Sequence, residues 1–304
     1  MSDKSYVLIT PARDEDLYIE KTILSVISQT VRPVKWVIVS DGSTDKTDEI
    51  VEKYVTDFPF IELIRRNGDP NRNFGSQVYA IKAGYEKLCG VEYQYFGNLD
   101  ADVSFASNYY SALLEIFSVT PLLGLAGGCI YEESRGKFIP RCGNSVSSVP
   151  HAVQLFRRSC YEEIGGYVPL KYGGPDWLAE VMVRMNGWLV SSFTELPVYH
   201  HKPTLTSEGK FKGGFRQGRM DYSLGSSFLF EIFKCLVRVR AKPYGLYSAS
   251  RMMGFLWGYL QREELAVSDA FKKFLRKEQY GKIISLLPPF AQNTWKFCIF
   301  KGGE

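Results

Sequence analysis

The sequence predicts an α/β fold in which a mostly parallel, Rossmann-like sheet carries helices on both faces. Short apolar, β-branched stretches alternate with amphipathic stretches over the first hundred residues, and this alternation is typical of a parallel sheet. Hydrophobic residues make up 45% of the 304 residues, which is enough to supply a full core. The composition therefore indicates a folded chain.

The predicted elements follow one another in a regular order. Four strands are predicted in the first hundred residues, at 6–10, 36–40, 61–64 and 93–97. Helices are predicted at about residues 16–30, 43–57, 76–88, 158–164 and 177–186. The second of these helices is expected to begin at a capping hydroxyl, that of Ser43 or Thr44.

The predicted strand ends carry the candidate binding residues, because ligands of open α/β sheets bind at the carboxyl ends of the strands. These ends are Thr10-Pro11, Asp41 and the triplet Asp100-Ala101-Asp102. One or both carboxylates of the triplet can hold a divalent cation, which would neutralise two phosphates of a nucleotide diphosphate. The alternative for the triplet is a solvated turn without a ligand. Asp41-Gly42 can likewise be a turn that has no binding role.

Three motifs follow one another along the chain. They are Thr10-Pro11-Ala12-Arg13-Asp14-Glu15, the Ser-Asp-Gly-Ser-Thr-Asp run that begins at Ser40, and the Asp-Ala-Asp triplet. Through these motifs, over roughly residues 5–200, the chain resembles the family 2 glycosyltransferases of the GT-A fold. The resemblance implies a GT-A nucleotide-diphospho-sugar transferase fold. It also implies an inverting, Mn²⁺- or Mg²⁺-dependent transfer from a UDP- or GDP-linked sugar to a glycan or lipid-linked acceptor of polysaccharide or glycolipid biosynthesis.

The resemblance further implies roles for single residues. Thr10, Pro11 and Arg13 or Glu15 would border the nucleotide, Asp41 would contact the base, and Asp100 and Asp102 would serve the donor and the metal. Ser40 departs from the acidic residue that the family usually has before the equivalent of Asp41. Arg72 lies where relatives have a loop that closes over the donor, so it can meet a phosphate, and a surface arginine fits equally well.

Asp176 is the predicted catalytic base. It lies in the run Gly173-Gly174-Pro175-Asp176-Trp177, where the family usually has Glu-Asp at the start of a helix, and Pro175 replaces the glutamate. An inverting transfer needs one carboxylate to accept the proton of the attacking hydroxyl. The alternative is that Asp176 only caps the helix. Trp177 can form an apolar wall for a sugar ring, or it can pack in the core.

Two adjacent histidines, His200 and His201, follow near the end of the predicted catalytic domain. One imidazole can complete the metal site or touch the diphosphate. Only one can do so, because adjacent residues of a strand point to opposite faces. We predict His200 as the ligand; His201 in its place, or a histidine packed in the fold, stays open as the alternative.

A domain boundary is predicted near residue 204. Residues 1–204 form the predicted catalytic domain, with a nucleotide-binding half of about 1–102 and an acceptor half of about 103–204. Residues 205–304 form a basic, aromatic-rich helical extension. Residues 201–304 contain 18 basic and 8 acidic side chains, whereas residues 1–200 contain 19 and 25. This excess suits an anionic surface.

The extension is expected to make a peripheral membrane contact. Residues 228–240 combine apolar and basic side chains as a helix in a membrane interface does. A helix packed on the catalytic domain or used in a dimer would have the same pattern, and the basic excess favours the membrane. The six scattered cysteines and the absence of an apolar leader predict a cytoplasmic protein at the cytoplasmic face.

Three other functions compete with that of a transferase. A Rossmann-type dehydrogenase would need a GxGxxG turn after the first strand, where the chain reads Thr-Pro-Ala-Arg-Asp-Glu. Nucleic acid is excluded as a partner, because the acidic strand ends would repel phosphate without a metal. A non-catalytic nucleotide-sugar-binding partner subunit stays open, and a plausible base at Asp176 argues against it.

Overall fold

The computed structural model describes residues 4–67, 75–134, 136–141, 145–202, 209–238 and 245–286. The chain divides into two compact units. The first comprises Met1–Lys171 with Pro175–Thr204, and the second comprises Leu205–Glu304 with Tyr172–Gly174.

The first unit is built on one sheet, which has nine strands in the described residues. The strands are β1 (Tyr6–Ala12), β2 (Lys35–Asp41), β3 (Ile61–Arg66), β4 (Tyr95–Leu99), β5 (Val103–Phe105), β6 (Leu123–Ser134), β7 (Lys137–Pro140), β8 (Val153–Arg157) and β9 (Leu189–His200). Its helices are α1 (Ile19–Ile27), α2 (Thr47–Asp57), α3 (Ser76–Glu86), α4 (Tyr109–Val119), α5 (Arg158–Glu163) and α6 (Pro175–Met185).

The strand order is β3-β2-β1-β4-β8-β6-β9-β5, with β7 paired to β6. Strands β3, β2, β1 and β4 are parallel, and β6 is parallel to β9. Strand β8 pairs antiparallel with β4 and β6, as β5 does with β9 and β7 with β6. A parallel connection needs a long crossover, usually a helix, and the described residues between β6 and β8 contain none. The expected parallel pairing therefore holds for the first four strands and for β6–β9.

Helices cover both faces of the sheet, as predicted. Successive residues of β1 belong to two separate apolar clusters, Leu8 to one and Ile9 to the other. The cluster around Leu8 includes buried side chains of α1 and α4, and the cluster around Ile9 includes side chains of α3 and α6. The alternation of strand side chains thus supplies two cores, one for each layer of helices.

Two helix starts differ from the sequence prediction, and both differences bear on the site. Helix α2 begins at Thr47, so the predicted cap at Ser43 or Thr44 is wrong. Asp45 holds the helix start instead, because its Oδ1 accepts a hydrogen bond from the Thr47 amide at 2.9 Å. Helix α6 begins at Pro175, so Asp176 lies inside its first turn rather than ahead of it. Pro175 suits a first helical position, where its missing N–H costs nothing.

The second unit is helical in its described residues. Its helices are α7 (Gly209–Ser223), α8 (Phe228–Arg238), α9 (Leu246–Leu260) and α10 (Asp269–Ser285). Helices α7 and α9 pack against each other along their length. The Ser268 hydroxyl caps α10 by accepting a hydrogen bond from the Phe271 amide at 3.2 Å. None of the helices described here combines the length and the apolar character needed to cross a membrane.

Candidate functional site

The loops that follow β1 and β2 are tied together by side-chain hydrogen bonds. Asp14 Oδ1 accepts from the Thr44 amide at 2.8 Å, and Thr47 Oγ1 accepts from the Glu15 amide at 2.8 Å. Asp45 Oδ2 accepts from the amide of residue 16 at 3.0 Å. Asp14 adopts a positive φ of 54°, which an aspartate tolerates better than most residues. These bonds hold one edge of the sheet in a defined shape.

Two predicted nucleotide contacts, Thr10 and Asp41, already have partners in this edge. Thr10 has no exposed surface, and its Oγ1 accepts a hydrogen bond from Trp36 Nε1 at 2.9 Å. It therefore supports the site from within the core, which differs from the expectation that it borders a ligand. Asp41 is buried, and its Oδ1 accepts from Arg66 Nη1 at 2.9 Å. The neighbouring strand β3 thus fixes the orientation of Asp41.

The other predicted contacts of this edge differ in exposure. Pro11, Arg13 and Glu15 are partly exposed, so they can border a ligand. Arg72 lies outside the described residues, and its predicted role stays a prediction.

Asp100 directly follows the last residue of β4 and is partly buried. Its amide donates to the carbonyl of residue 152 at 2.9 Å, and Gln77 Nε2 donates to Asp100 Oδ1 at 3.2 Å.

The pKa of Asp100 is raised above its usual value, with burial as the main cause. The charges of Asp102 and Asp176 add to the rise, whereas His151 and His200 oppose it. Four titratable groups therefore act on Asp100.

His200 reaches the triplet through the pairing of β5 with β9, which sets Val103 opposite His200. His200 Nε2 lies 3.3 Å from Asp102 Oδ2. Burial alone would lower the pKa of His200, but the hydrogen bond to Asp102 and its charge outweigh burial, so the pKa is raised. His201 Nε2 instead lies 2.8 Å from Ser104 Oγ. Of the two histidines, His200 is therefore the one beside the triplet.

Two buried atoms at Asp102 and His200 are candidate ligands of a divalent cation. Asp102 Oδ1 and His200 Nδ1 are buried and have no hydrogen-bond partner among the described residues. Within those residues, no three His, Cys, Asp or Glu side chains form a complete cluster that could hold a metal. A cation such as Mg²⁺ uses one or two carboxylates and takes further ligands from substrate phosphates, and imidazole suits Mn²⁺ less than it suits zinc. Asp102 Oδ1 and His200 Nδ1 alone do not make a metal site, and a cation here would need further ligands, such as the oxygens of a diphosphate.

A salt bridge closes the site on one side. Lys202 Nζ lies 2.5 Å from Glu15 Oε1, so the end of β9 is joined to the loop after β1. Burial raises the pKa of Glu15. The hydrogen bond and charge of Lys202 lower this pKa in part, and the charges of Asp102 and Asp100 raise it further. Glu15 therefore belongs to the same electrostatic group as the triplet.

Asp176, the predicted base, is partly exposed and is the second residue of α6. Because the helix starts at Pro175, Asp176 is not at the cap position itself. Its negative charge raises the pKa of Asp100, which brings it within electrostatic range of the triplet. The neighbouring Trp177 is also partly exposed, so its ring is not lost to the core.

Glu180, one turn after Asp176, was not predicted as a site residue. It is buried, and its Oε1 accepts from the Val149 amide at 2.7 Å and from Ser148 Oγ at 3.1 Å. Burial raises the pKa of Glu180 to about 7, and the charge of Asp176 adds to the rise. A helical spacing of four from Asp176 was the available signal.

His151 and Arg66 were also missed by the sequence analysis. Both ring nitrogens of His151 are buried without a hydrogen-bond partner among the described residues, and its ring packs edge-on against Tyr167. His151 precedes β8 in a stretch without periodic pattern, so no local signal marks it. Arg66 ends β3 and is recognised only through its contact with Asp41.

The family model described as Glycosyl transferase family 2 matches residues 7–169. An uncharacterized glycosyltransferase of Mycoplasma pneumoniae is 30% identical over 136 residues, which are 44% of this chain and 43% of the relative. The matched part thus spans less than half the length of that relative.

Solved structures resemble a larger part of the chain. The S. aureus TarS 1–349 structure in complex with UDP-GlcNAc has a TM-score of 0.53 at 15% identity and covers 93% of this chain and 82% of its own. The mannosyltransferase PcManGT from Pyrobaculum calidifontis, in complex with GDP-Man and Mn²⁺, also has a TM-score of 0.53 at 15% identity, with coverages of 97% and 84%. At these identities the likeness concerns the fold.

Proposed function

The chain belongs to glycosyl transferase family 2, and we propose that it transfers a hexosyl group from a UDP- or GDP-linked donor to a hydroxyl of a glycan or lipid-linked acceptor. The observation that carries this proposal is the group formed by Asp102, His200 and Asp100 at the carboxyl end of β4, within electrostatic range of Asp176. Solved structures with a similar fold contain UDP-GlcNAc or GDP-Man, which supports a nucleotide-sugar donor.

Donor binding is assigned to the carboxyl ends of β1 and β2 and the loops that follow them. Asp41, oriented by Arg66, would accept hydrogen bonds from the base, and Pro11, Arg13 and Glu15 would border the nucleotide. Arg72 is retained as a candidate phosphate contact on the resemblance alone. The tied loops after β1 and β2 favour this assignment, because a preformed edge loses little conformational freedom on binding.

A divalent cation, Mn²⁺ or Mg²⁺, would be held by Asp102 and His200, with Asp100 beside them. When bound, it would neutralise charge on the diphosphate and so make the diphosphate a better leaving group. The acidic groups of this site themselves favour such a cation, because without it Glu15, Asp100 and Asp102 would repel a diphosphate. A similar solved mannosyltransferase contains Mn²⁺, which is consistent with this choice.

Asp176 is proposed as the general base of an inverting single displacement. Its carboxylate would accept the proton of the acceptor hydroxyl while that oxygen attacks the anomeric carbon and the bond from that carbon to the diphosphate oxygen breaks. The partial exposure of Asp176 supports this role, because the base must reach an acceptor. Trp177 would flank the sugar ring through its partly exposed side chain.

The acceptor is proposed to be a glycan or a lipid-linked molecule of polysaccharide or glycolipid biosynthesis. Peripheral contact with the cytoplasmic face of a membrane is part of this proposal. Its support is the positive charge of the last third of the chain, which contains 18 basic and 8 acidic side chains.

The proposed function is tested by calorimetric titration of UDP, GDP and their sugar conjugates, with and without Mn²⁺. Metal-dependent binding of one nucleotide is expected, and Asp102→Ala should abolish it. A folded wild-type protein that binds none of these nucleotides would overturn the transferase proposal in favour of a non-catalytic partner subunit.

A further inference from the structure

Helix α9 of the second unit buries Phe255 and exposes several other apolar side chains. Its exposed residues include Leu246, Ala249, Met253, Leu256, Trp257 and Leu260. These positions recur at helical spacing and form one stripe along the helix. Leu260 is 75% exposed and Met253 is 54% exposed, and no charged residue interrupts the stripe. At about 1.5 Å per residue, the 15 residues of α9 make this stripe about 22 Å long.

Helix α8 also exposes apolar side chains. Its exposed apolar residues are Phe228, Leu229, Leu236 and Val237, and the last two are each 65% exposed. The side chain of α8 that is fully buried is a charged one, Glu231. In a helix that meets water on one side and a core on the other, the charged residues would face outward.

Charged side chains meet instead between the helices. Arg251 of α9 donates through Nε to Glu231 Oε1 at 2.7 Å, and its Nη2 donates to Asp221 of α7. Lys234 Nζ lies 2.9 Å from Asp221 Oδ1. Four charges, two of each sign, are thereby paired inside the second unit. The pairing offsets part of the cost of burying these charges. The exposed positions of α8 and α9 are then mostly apolar.

Small residues let α7 and α9 approach closely. Gly214 and Gly218 on α7, and Gly254 and Gly258 on α9, recur at four-residue spacing. A Cβ atom on Gly218 would lie 1.9 Å from the carbonyl oxygen of Arg251, and one on Gly254 would lie 1.9 Å from that of Phe215. Helix pairs in membranes use such small residues to bring their backbones together. Close backbone contact at these glycines therefore holds α7 against α9.

We propose that the exposed apolar residues of α8 and α9, defined above and here named the outer apolar face, insert into the interfacial region of an anionic lipid bilayer. A helix with an apolar stripe on one side is suited to lie in the plane of the membrane interface. The inference rests on the membrane contact of the proposed function and names the elements that make it. It does not depend on the assignment of metal or base.

Charge favours an anionic bilayer over a second copy of the chain. The last third of the chain has 18 basic and 8 acidic side chains, and exposed basic residues of the second unit include Arg238, Arg262, Lys273 and Lys277. Anionic headgroups attract such a surface. A symmetric dimer through the outer apolar face would bring two basic units together, which repel each other.

The test is flotation of the full-length protein with phosphatidylcholine vesicles that contain or lack phosphatidylglycerol. Wild-type protein is expected to float with the anionic vesicles. The double variant Leu256→Ser, Leu260→Ser should partition at least about tenfold more weakly, because each side chain loses its transfer into the apolar layer. The matched control is Val119→Ser, Leu122→Ser, which alters two exposed apolar residues of the first unit and should float as wild type does.

Nucleotide titration of the same proteins separates the two proposals. A circular dichroism spectrum and an unfolding temperature like those of wild type would tie the loss of flotation in the Leu256, Leu260 variant to the outer apolar face and not to misfolding. Flotation without any nucleotide binding would overturn the proposed function alone. The membrane inference is overturned if wild-type protein floats with neither vesicle, or if the variant floats as well as wild type. It is equally overturned if sedimentation equilibrium shows a dimer that requires Leu256 and Leu260 while no vesicle is bound.

Discussion

His200 Nε2 lies 3.3 Å from Asp102 Oδ2, although the two residues are far apart in the chain. The antiparallel pairing of β5 with β9 produces this contact, because it sets Val103 opposite His200. The adjacent His201 faces Ser104 instead. One strand pairing therefore decides which of two neighbouring imidazoles stands beside the triplet.

Replacing His200 should weaken metal-dependent donor binding. His200→Gln removes the imidazole donor, and we expect the affinity for the preferred nucleotide in the presence of Mn²⁺ to fall roughly tenfold to a hundredfold, as for other changes close to a metal. Calorimetry with and without Mn²⁺ measures the effect. His201→Gln is the matched control and should keep the metal dependence. Equal losses in the two variants would contradict the assignment of His200.

The contrast between these histidines shows where the sequence is informative. Local patterns of alternating strands and helices located β1 to β4, so the carboxyl ends that carry Asp41 and Asp100 could be predicted. The antiparallel pairings of β4 with β8 and of β5 with β9 join strands far apart in the sequence, and a local pattern does not encode their register.

Partners that come from non-local contacts escaped the sequence analysis for the same reason. The salt bridges of Arg66 with Asp41 and of Lys202 with Glu15 depend on which strand ends lie side by side. In the second unit, the apolar and basic pattern of α8 was visible in the sequence. The inward direction of Glu231 and Arg251 emerged only from the packing of three helices.

Asp176→Asn should separate donor binding from transfer. Asparagine keeps the shape of the side chain but cannot accept the acceptor proton as a base, so we expect turnover to fall by at least about a hundredfold. Nucleotide affinity measured by calorimetry should stay within about twofold of wild type. Once an acceptor is known, turnover is measured as the rate at which the nucleotide diphosphate is released. Wild-type turnover in this variant would contradict the base assignment.

Glu180 should make the stability of the first unit depend on pH. Burial raises its pKa from 4.5 to about 7, so the folded state binds a proton more tightly than the unfolded state. The contribution of Glu180 to the free energy of unfolding is therefore greatest below about pH 4.5. It decreases as the pH rises to about 7, with a total change of about 3 kcal/mol.

Glu180→Gln tests this dependence. The amide oxygen of glutamine can still accept from Val149 and Ser148, and the side chain has no charge to bury. Urea unfolding at pH 5 and pH 8 should show that the variant gains stability relative to wild type as the pH rises. Glu162→Gln, which changes an exposed glutamate paired with Arg158, is the control and should leave the pH dependence unchanged. A wild-type slope in Glu180→Gln would show that Glu180 is ionised at little cost in the fold.

Adding one methyl group to two helical glycines should have opposite effects. Gly218→Ala would force a Cβ atom to within 1.9 Å of the Arg251 carbonyl oxygen, and neither backbone can rotate away as a flexible side chain would. We expect α7 and α9 to separate and the second unit to lose about 3 kcal/mol of stability. Gly281→Ala on α10 meets nothing within 4 Å. It should stabilise the helix by up to about 1 kcal/mol, because alanine loses less backbone entropy than glycine.

Thermal unfolding of the two variants, followed by circular dichroism, measures this difference. The pair is informative because both substitutions add the same atom to a helix and improve helical propensity equally, so only the space around the residue differs. A lower unfolding temperature for Gly218→Ala and an unchanged or higher one for Gly281→Ala would establish that close backbone contact holds α7 to α9. If Gly218→Ala proves as stable as Gly281→Ala, the helices do not touch there. The small-residue contact between α7 and α9 would then have to be abandoned.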